Sequence, residues 1–206
     1  MQIYAQQSLV FIAVPKTGTS AVEGALKPKA DIIFSKRWKH MTARRFHTKI
    51  APFLNRVLDL RPERFAVMRD PEEQIRSWFR YRARDPKQES VSSTKGISFD
   101  EFVLAVISEN AKPFAKIGSQ SNMLTSGKGD LLVNHLFLYE KPLQFRAFLN
   151  QRFEEEVILR QKNVSPYVGA PLSPEIRQKL RAARSQEFDL YARLQDAGGH
   201  LQTAIG

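Results

Sequence analysis

The sequence contains no cysteine. That removes a disulfide framework, a thiolate nucleophile and a zinc–cysteine site, and it suits a reducing, cytoplasmic setting. Long apolar runs are missing too: the longest, residues 9–14, is far below the roughly 20 residues that span a bilayer. No basic n-region or cleavage site accompanies it, so neither a signal peptide nor a transmembrane segment is read. The four histidines are scattered without a recurring carboxylate spacing, so no metal site is expected. Acidic residues are scarce, 21 Asp and Glu against 32 Lys and Arg, giving a formal net charge of +11. The scarcity is also local. From Ile32 to Leu58 no acidic residue occurs, whereas Lys36, Arg37, Lys39, Arg44, Arg45, Lys49 and Arg56 all fall there. Such a balance calls for an anionic partner, whether nucleic acid, acidic lipid, polyanionic glycan or multiply charged cofactor. A solvated basic face is the plain alternative.

What is present is ordinary for a globular chain. With 42% hydrophobic residues over 206 positions, the sequence suits one domain, 1–206, with a real core. Short apolar runs at 8–14, 31–34, 65–68 and 135–140 read as strands. Between them lie helical patterns: one capped by Thr19 or Ser20 and stopped at Lys27-Pro28, and one over 42–58 broken or kinked at Pro52. Others open at Pro71, at the capping box Ser98-x-x-Glu101, after Pro142, and at Ser173-Pro174, the last running to about Leu194. Strands alternating with helices predict an α/β fold, a mainly parallel central sheet flanked by helices. Residues 85–96, polar and rich in Ser and Lys, read as a mobile loop or lid.

Two stretches carry chemistry. In "VPKTGTS" (14–20) a strand opens through a turn into a helix. Free N–H groups at a helix start favour an anion, Gly18 lets backbone approach it, Thr17, Thr19 and Ser20 add hydroxyls, and Lys16 adds a charge. The lysine stands two residues before the only glycine, which is not the spacing of an ATP-binding loop. In "FAVMRDPEEQIRSWFRYR" (65–82) Arg69 leaves a strand at the end where α/β proteins bind ligands, and Ser77 follows on a helix. A guanidinium suits a phosphate monoester, although Arg69 could instead pair with Asp70 or Glu73 at a helix start.

Taken together, the two stretches resemble the sulfotransferases that use 3′-phosphoadenosine-5′-phosphosulfate, the carbohydrate-type and bacterial members most closely. The resemblance extends to "SQSNML" (119–124), "HLFLYEKP" (135–142) and "NVSP" (163–166). It implies a P-loop-like three-layer domain. It also implies that Pro15, Lys16, Thr17, Gly18, Thr19 and Ser20 hold the 5′-phosphosulfate, while Arg69 and Ser77 hold the 3′-phosphate. Asn163, Val164 and Ser165 would lie near the nucleotide, and the product would be 3′,5′-adenosine bisphosphate. Lys16 is placed to stabilise the leaving phosphate.

A base must take the acceptor's proton, and histidine suits that task near neutral pH. His40, inside the basic segment, is the first candidate. His47 lies seven residues on, which is two turns of helix, and Glu23 in the first helix is the carboxylate alternative. His135, opening a strand, and His200, in a glycine-rich tail, read as structural, and Trp78 reads as core or as a platform for adenine. The acceptor is expected to be a hydroxyl compound, for example an acidic glycan drawn to residues 36–45. A small-molecule kinase of the P-loop type and a basic domain that binds nucleic acid or another polyanion without catalysis are the rival readings. The kinase would need magnesium ligands, and in "FAVMRD" the strand ends in Arg69 before Asp70, unlike a magnesium-binding strand that ends in Asp.

Overall fold

The computed structural model describes residues 1–84, 91–160 and 169–205. Strands β1 (Gln2–Tyr4), β2 (Leu9–Phe11), β3 (Ile32–Ile33), β4 (Glu63–Met68), β5 (His135–Leu138) and β6 (His200–Gln202) form one sheet in the order β3-β1-β2-β4-β5-β6. Only β2–β4 and β4–β5 pair parallel; β1–β2, β1–β3 and β5–β6 are antiparallel. The sheet is therefore mixed rather than mainly parallel. Two short strands account for the difference. β1 reaches β2 through a tight hairpin in which Ser8 N–H donates to the Ala5 carbonyl. β6 is formed by the segment read as a glycine-rich tail, and it returns alongside β5.

Alternation along the strands splits the interior into two cores. Val10, Ile12, Ala66, Met68, Leu136 and Leu138 face one side and meet Phe46, Leu54, Leu190 and Leu194. These come from the helical stretch 43–58 and from α9 (Ser185–Asp196). Leu9, Phe11, Phe65, Val67 and Phe137 face the other side and meet α1 (Thr19–Leu26) and α7 (Pro142–Phe153) through Val22, Leu26, Phe145 and Phe148. A third cluster, including Ile75, Phe79, Phe102 and Leu180, joins α4 (Pro71–Ala83), α5 (Phe99–Ile107) and α8 (Pro174–Ala183).

Most helix boundaries follow the sequence signals. Ser98 and Glu101 make both halves of the capping box, and Pro71 opens α4 with Asp70 as its cap. Three differ. Neither Thr19 nor Ser20 caps α1; the cap is Gly18, left-handed and without a side chain. The stretch expected to be one helix from 173 is two, α8 and α9, parted at Arg184 with φ −118°. Around Pro52 the chain does not break. Between α2 (Ala43–Arg45) and α3 (Ala51–Leu58), Phe46–Ile50 widens into a π-helix just ahead of Pro52. Of the 85–96 stretch read as a lid, 85–90 lie outside the described residues, while Thr94 is buried and donates to the Phe79 carbonyl at 2.8 Å. α6 (Gln120–Leu124) completes the elements that matter to the site. No described helix is long and apolar enough to cross a membrane.

Candidate anion-binding site

β2, β4 and β5 run parallel side by side, so the residues that leave their C-terminal ends become neighbours. After β2 comes the turn 14–18. Lys16 (φ 67°) and Gly18 (φ 77°) are both left-handed, whereas Thr17 and Thr19 are not. This alternation curls successive N–H groups toward one concavity, a backbone arrangement suited to anions. Among the described residues no acceptor takes the N–H groups of residues 16–20. Gly18 is favoured on two counts: its φ is one that L side chains adopt only with strain, and a Cβ there would lie 3.3 Å from the Tyr139 ring.

The hydroxyls in this turn differ in availability. Thr17 is buried and spends its hydrogen on the Val14 carbonyl at 2.8 Å, so its hydroxyl shapes the turn. Thr19 is buried at the start of α1, while Ser20 is only half-buried. Lys16 lays its ammonium over Tyr81 (4.1 Å to the ring centre) and Trp78 (5.6 Å) on α4. Burial first, then the positive charges of Arg84 and Arg69, lowers its pKa to about 8. Gln74 on the same helix face donates to the Pro15 carbonyl at 3.1 Å. Trp78 is thus the side of a cation shelf, with Arg82 on it as well at 5.3 Å, as much as a core residue.

Arg69 leaves β4. Its backbone N–H and carbonyl are both held by the buried Gln120 side chain, at 2.9 and 2.8 Å, and the Gln120 N–H donates to Glu187 at 3.0 Å. The guanidinium lies over Tyr139 at 4.8 Å and pairs loosely with Glu73 at 3.6 Å. The Glu73 pairing expected of a helix start is therefore present, but Nε remains buried without a partner among the described residues. Ser77 flanks the Gln74–Trp78–Tyr81 face, half-buried, and its hydroxyl bonds to no described residue. Asp70 and Glu140, the carboxylates at these strand ends, are committed. Asp70 accepts from Glu73 N–H, and Glu140 accepts from Asp70 N–H. Burial and then the charges of Glu140 and Asp70 push the nearby Tyr191 hydroxyl upward.

The candidate bases separate clearly. His40 places Nδ1 2.7 Å from the Ala13 carbonyl, at the threshold of the anion turn. A carbonyl only accepts, so Nδ1 carries the proton and Nε2 keeps a lone pair. Burial holds the ring below its ordinary pKa despite that bond. His40 precedes the helical stretch that begins at Ala43, so it does not share a helix face with His47. His47 is turned to Arg64, whose guanidinium donates to its Nδ1 at 3.0 Å. Glu23 is occupied by Lys39 at 2.6 Å and the Met1 amino group at 3.0 Å. His135 and His200 meet each other at 3.1 Å on the β5–β6 pair, beside the start of β4 at Glu63 and away from the turn. Asn163, Val164 and Ser165 lie outside the described residues.

Tyr139 joins the turn and the guanidinium, lying against both Gly18 and Arg69, and was not singled out in the sequence. Its position just past a parallel strand was the available signal. Nothing in the sequence marked Gln74 or Gln120 as the residues that hold the turn and Arg69. Fold and site together define an α/β protein with a mixed sheet whose parallel strand ends carry a cationic turn with unpaired N–H groups. The chain matches no family model, no curated protein and no solved structure.

Proposed function

We propose that this chain transfers a sulfuryl group from 3′-phosphoadenosine-5′-phosphosulfate to a hydroxyl of a carbohydrate, on a P-loop-like α/β scaffold. One observation carries the reading: two separate sets of unsatisfied donors stand at the ends of the neighbouring strands β2 and β4. The first is the N–H-lined turn with Lys16, the second the buried, unpartnered Nε of Arg69. A donor with anionic groups at both its 5′ and 3′ positions fits such a pair, and the residues found there are those the sulfotransferase resemblance names. The turn 15–20 would hold the 5′ group, and Arg69 with Ser77 the 3′-phosphate. Bound there, the donor supplies an activated sulfuryl group whose departure leaves charge on a phosphate oxygen.

The protein's part is electrostatic and acid–base. Lys16, crowded by Arg84 and Arg69, gains most from a nearby negative charge and is the group to stabilise the leaving oxygen. His40, neutral and with Nε2 unprotonated, is the group to accept the acceptor's proton. The engagement of Asp70 and Glu140 with backbone N–H groups favours this reading over a magnesium-dependent kinase. Calorimetry with 3′,5′-adenosine bisphosphate and with ATP–Mg²⁺ provides the test, followed by transfer assays with labelled donor. The bisphosphate is expected to bind without metal, Lys16→Ala to abolish transfer, and Arg69→Ala chiefly to weaken donor binding. Near-normal transfer by Lys16→Ala, or preference for ATP–Mg²⁺, would overturn it.

A further inference from the structure

Two open cavities, of about 700 and about 540 Å³, adjoin each other along the basic segment and share Trp38, Met41, Thr42 and Arg45. His40 lines the smaller one; Lys49 lines the other. No carboxylate lines either. Arg37, Arg44, Arg45 and Lys49 make no ion pair with any described carboxylate, in contrast to Lys39, Arg76, Arg152 and Arg177, which all do. The indole of Trp38 carries two of these cations, Arg45 at 4.2 Å and Arg37 at 5.1 Å from the ring centre. Stacking of this kind fixes a guanidinium while leaving its edge donors free, so the two forks are pre-oriented before any ligand arrives.

We propose that this groove is the acceptor subsite and that it takes an acidic polysaccharide, a chain with carboxylate or sulfate groups on successive sugars. Arg37 and Arg45 read two of its anions, and His40 at the end of the groove receives the hydroxyl to be modified. The acceptor role rests on the sulfuryl-transfer reading; the binding of an acidic chain does not. A polysaccharide is favoured over a nucleic acid because the Trp38 ring already carries two guanidiniums. It is therefore not an open platform for a base, and single-stranded nucleic acids draw much of their affinity from such platforms.

The probes are a polyuronate hexasaccharide, a neutral hexasaccharide and a single-stranded DNA hexamer, with 3′,5′-adenosine bisphosphate titrated separately. The polyuronate is expected to bind and the neutral sugar not, with affinity falling as salt rises. Two exposed charge contacts are lost in Arg37→Ala/Arg45→Ala, so polyuronate binding should weaken about tenfold while bisphosphate binding is unchanged. Arg45→Lys, which keeps the charge and the fold but not the fork, should lie between. Polyuronate binding that is absent, or indifferent to both variants, would overturn the proposal, as would tighter binding of the DNA hexamer. If the bisphosphate fails to bind while the polyuronate behaves as described, the groove stands and the sulfuryl-transfer reading fails.

Discussion

Lys16 concentrates most of the site's physical chemistry in one residue. It holds a left-handed backbone that a lysine adopts only at some cost, and its ammonium is partly buried beside two guanidiniums. A cation in that position is under-solvated until an anion arrives. Its pKa near 8, against an ordinary value of 10.5, gives this a measurable form. An anion favours the charged ammonium and raises its pKa, so binding takes up a proton wherever the free protein has lost one. The affinity for 3′,5′-adenosine bisphosphate should therefore fall as pH rises through about 8. Calorimetry at pH 8.5 in buffers of different ionisation enthalpy should show proton uptake. In Lys16→Ala both the uptake and the pH dependence should vanish; a wild-type affinity flat from pH 7 to 9.5 would remove Lys16 from the anion site.

At the scale of elements, the site depends on how α4 and α6 are tied to the strand ends. α4 contributes Gln74, Trp78 and Tyr81 to the turn, and α6 contributes Gln120, which pairs with both backbone groups of Arg69 as a neighbouring strand would. Gln120→Ala strands a donor and an acceptor in a partly buried place, and such changes cost about 2 kcal/mol. Urea unfolding should show that loss, and bisphosphate affinity should drop with it because Arg69 loses its fixed register. Unchanged stability would mean that water replaces the amide without penalty.

The elements themselves were legible wherever local chemistry specified them. Ser98 and Glu101, Pro71, Pro142 and the apolar run at 135–138 all announce their structure. β1 and β6 were not legible, because Gln2–Tyr4 and His200–Gln202 lack the continuous apolar run that marks β2 and owe their existence to the partner edge. The turn and Arg69 were visible because glycine, hydroxyl residues and cations stand together in short stretches at strand ends. Gln74, Gln120 and Tyr139 act across 51 to 121 residues of sequence, through contacts that only the packed sheet creates.

For the whole molecule, the parallel core β2-β4-β5 separates two titrating regions. The C-terminal strand ends carry the cationic site; the opposite end carries His135 and His200, with His135 also 3.5 Å from Glu63, itself ion-paired to Arg152. Both rings lie among Phe137 and Phe148, and burial lowers both histidine pKa values, with His135 adding to the cost of a positive charge on His200 and Glu63 partly opposing the shift of His135. His40 and His47 are lowered as well, again chiefly by burial. The linkage has one sign for all four. Their folded pKa values lie below the unfolded value near 6.5, so the unfolded chain binds protons first as pH falls. Stability is full above about 6.5 and is lost as pH drops through the folded values; the depressed carboxylates Glu63 and Glu72 add their own loss below 4.5. Urea midpoints at pH 7.5, 6.5 and 5.5 should fall in that order. His200→Gln, which leaves His135 facing a neutral partner and Glu63, should make the decline shallower. A midpoint that rises toward pH 5.5 would mean that His135 is held protonated by Glu63, with attraction outweighing burial at that end of the sheet.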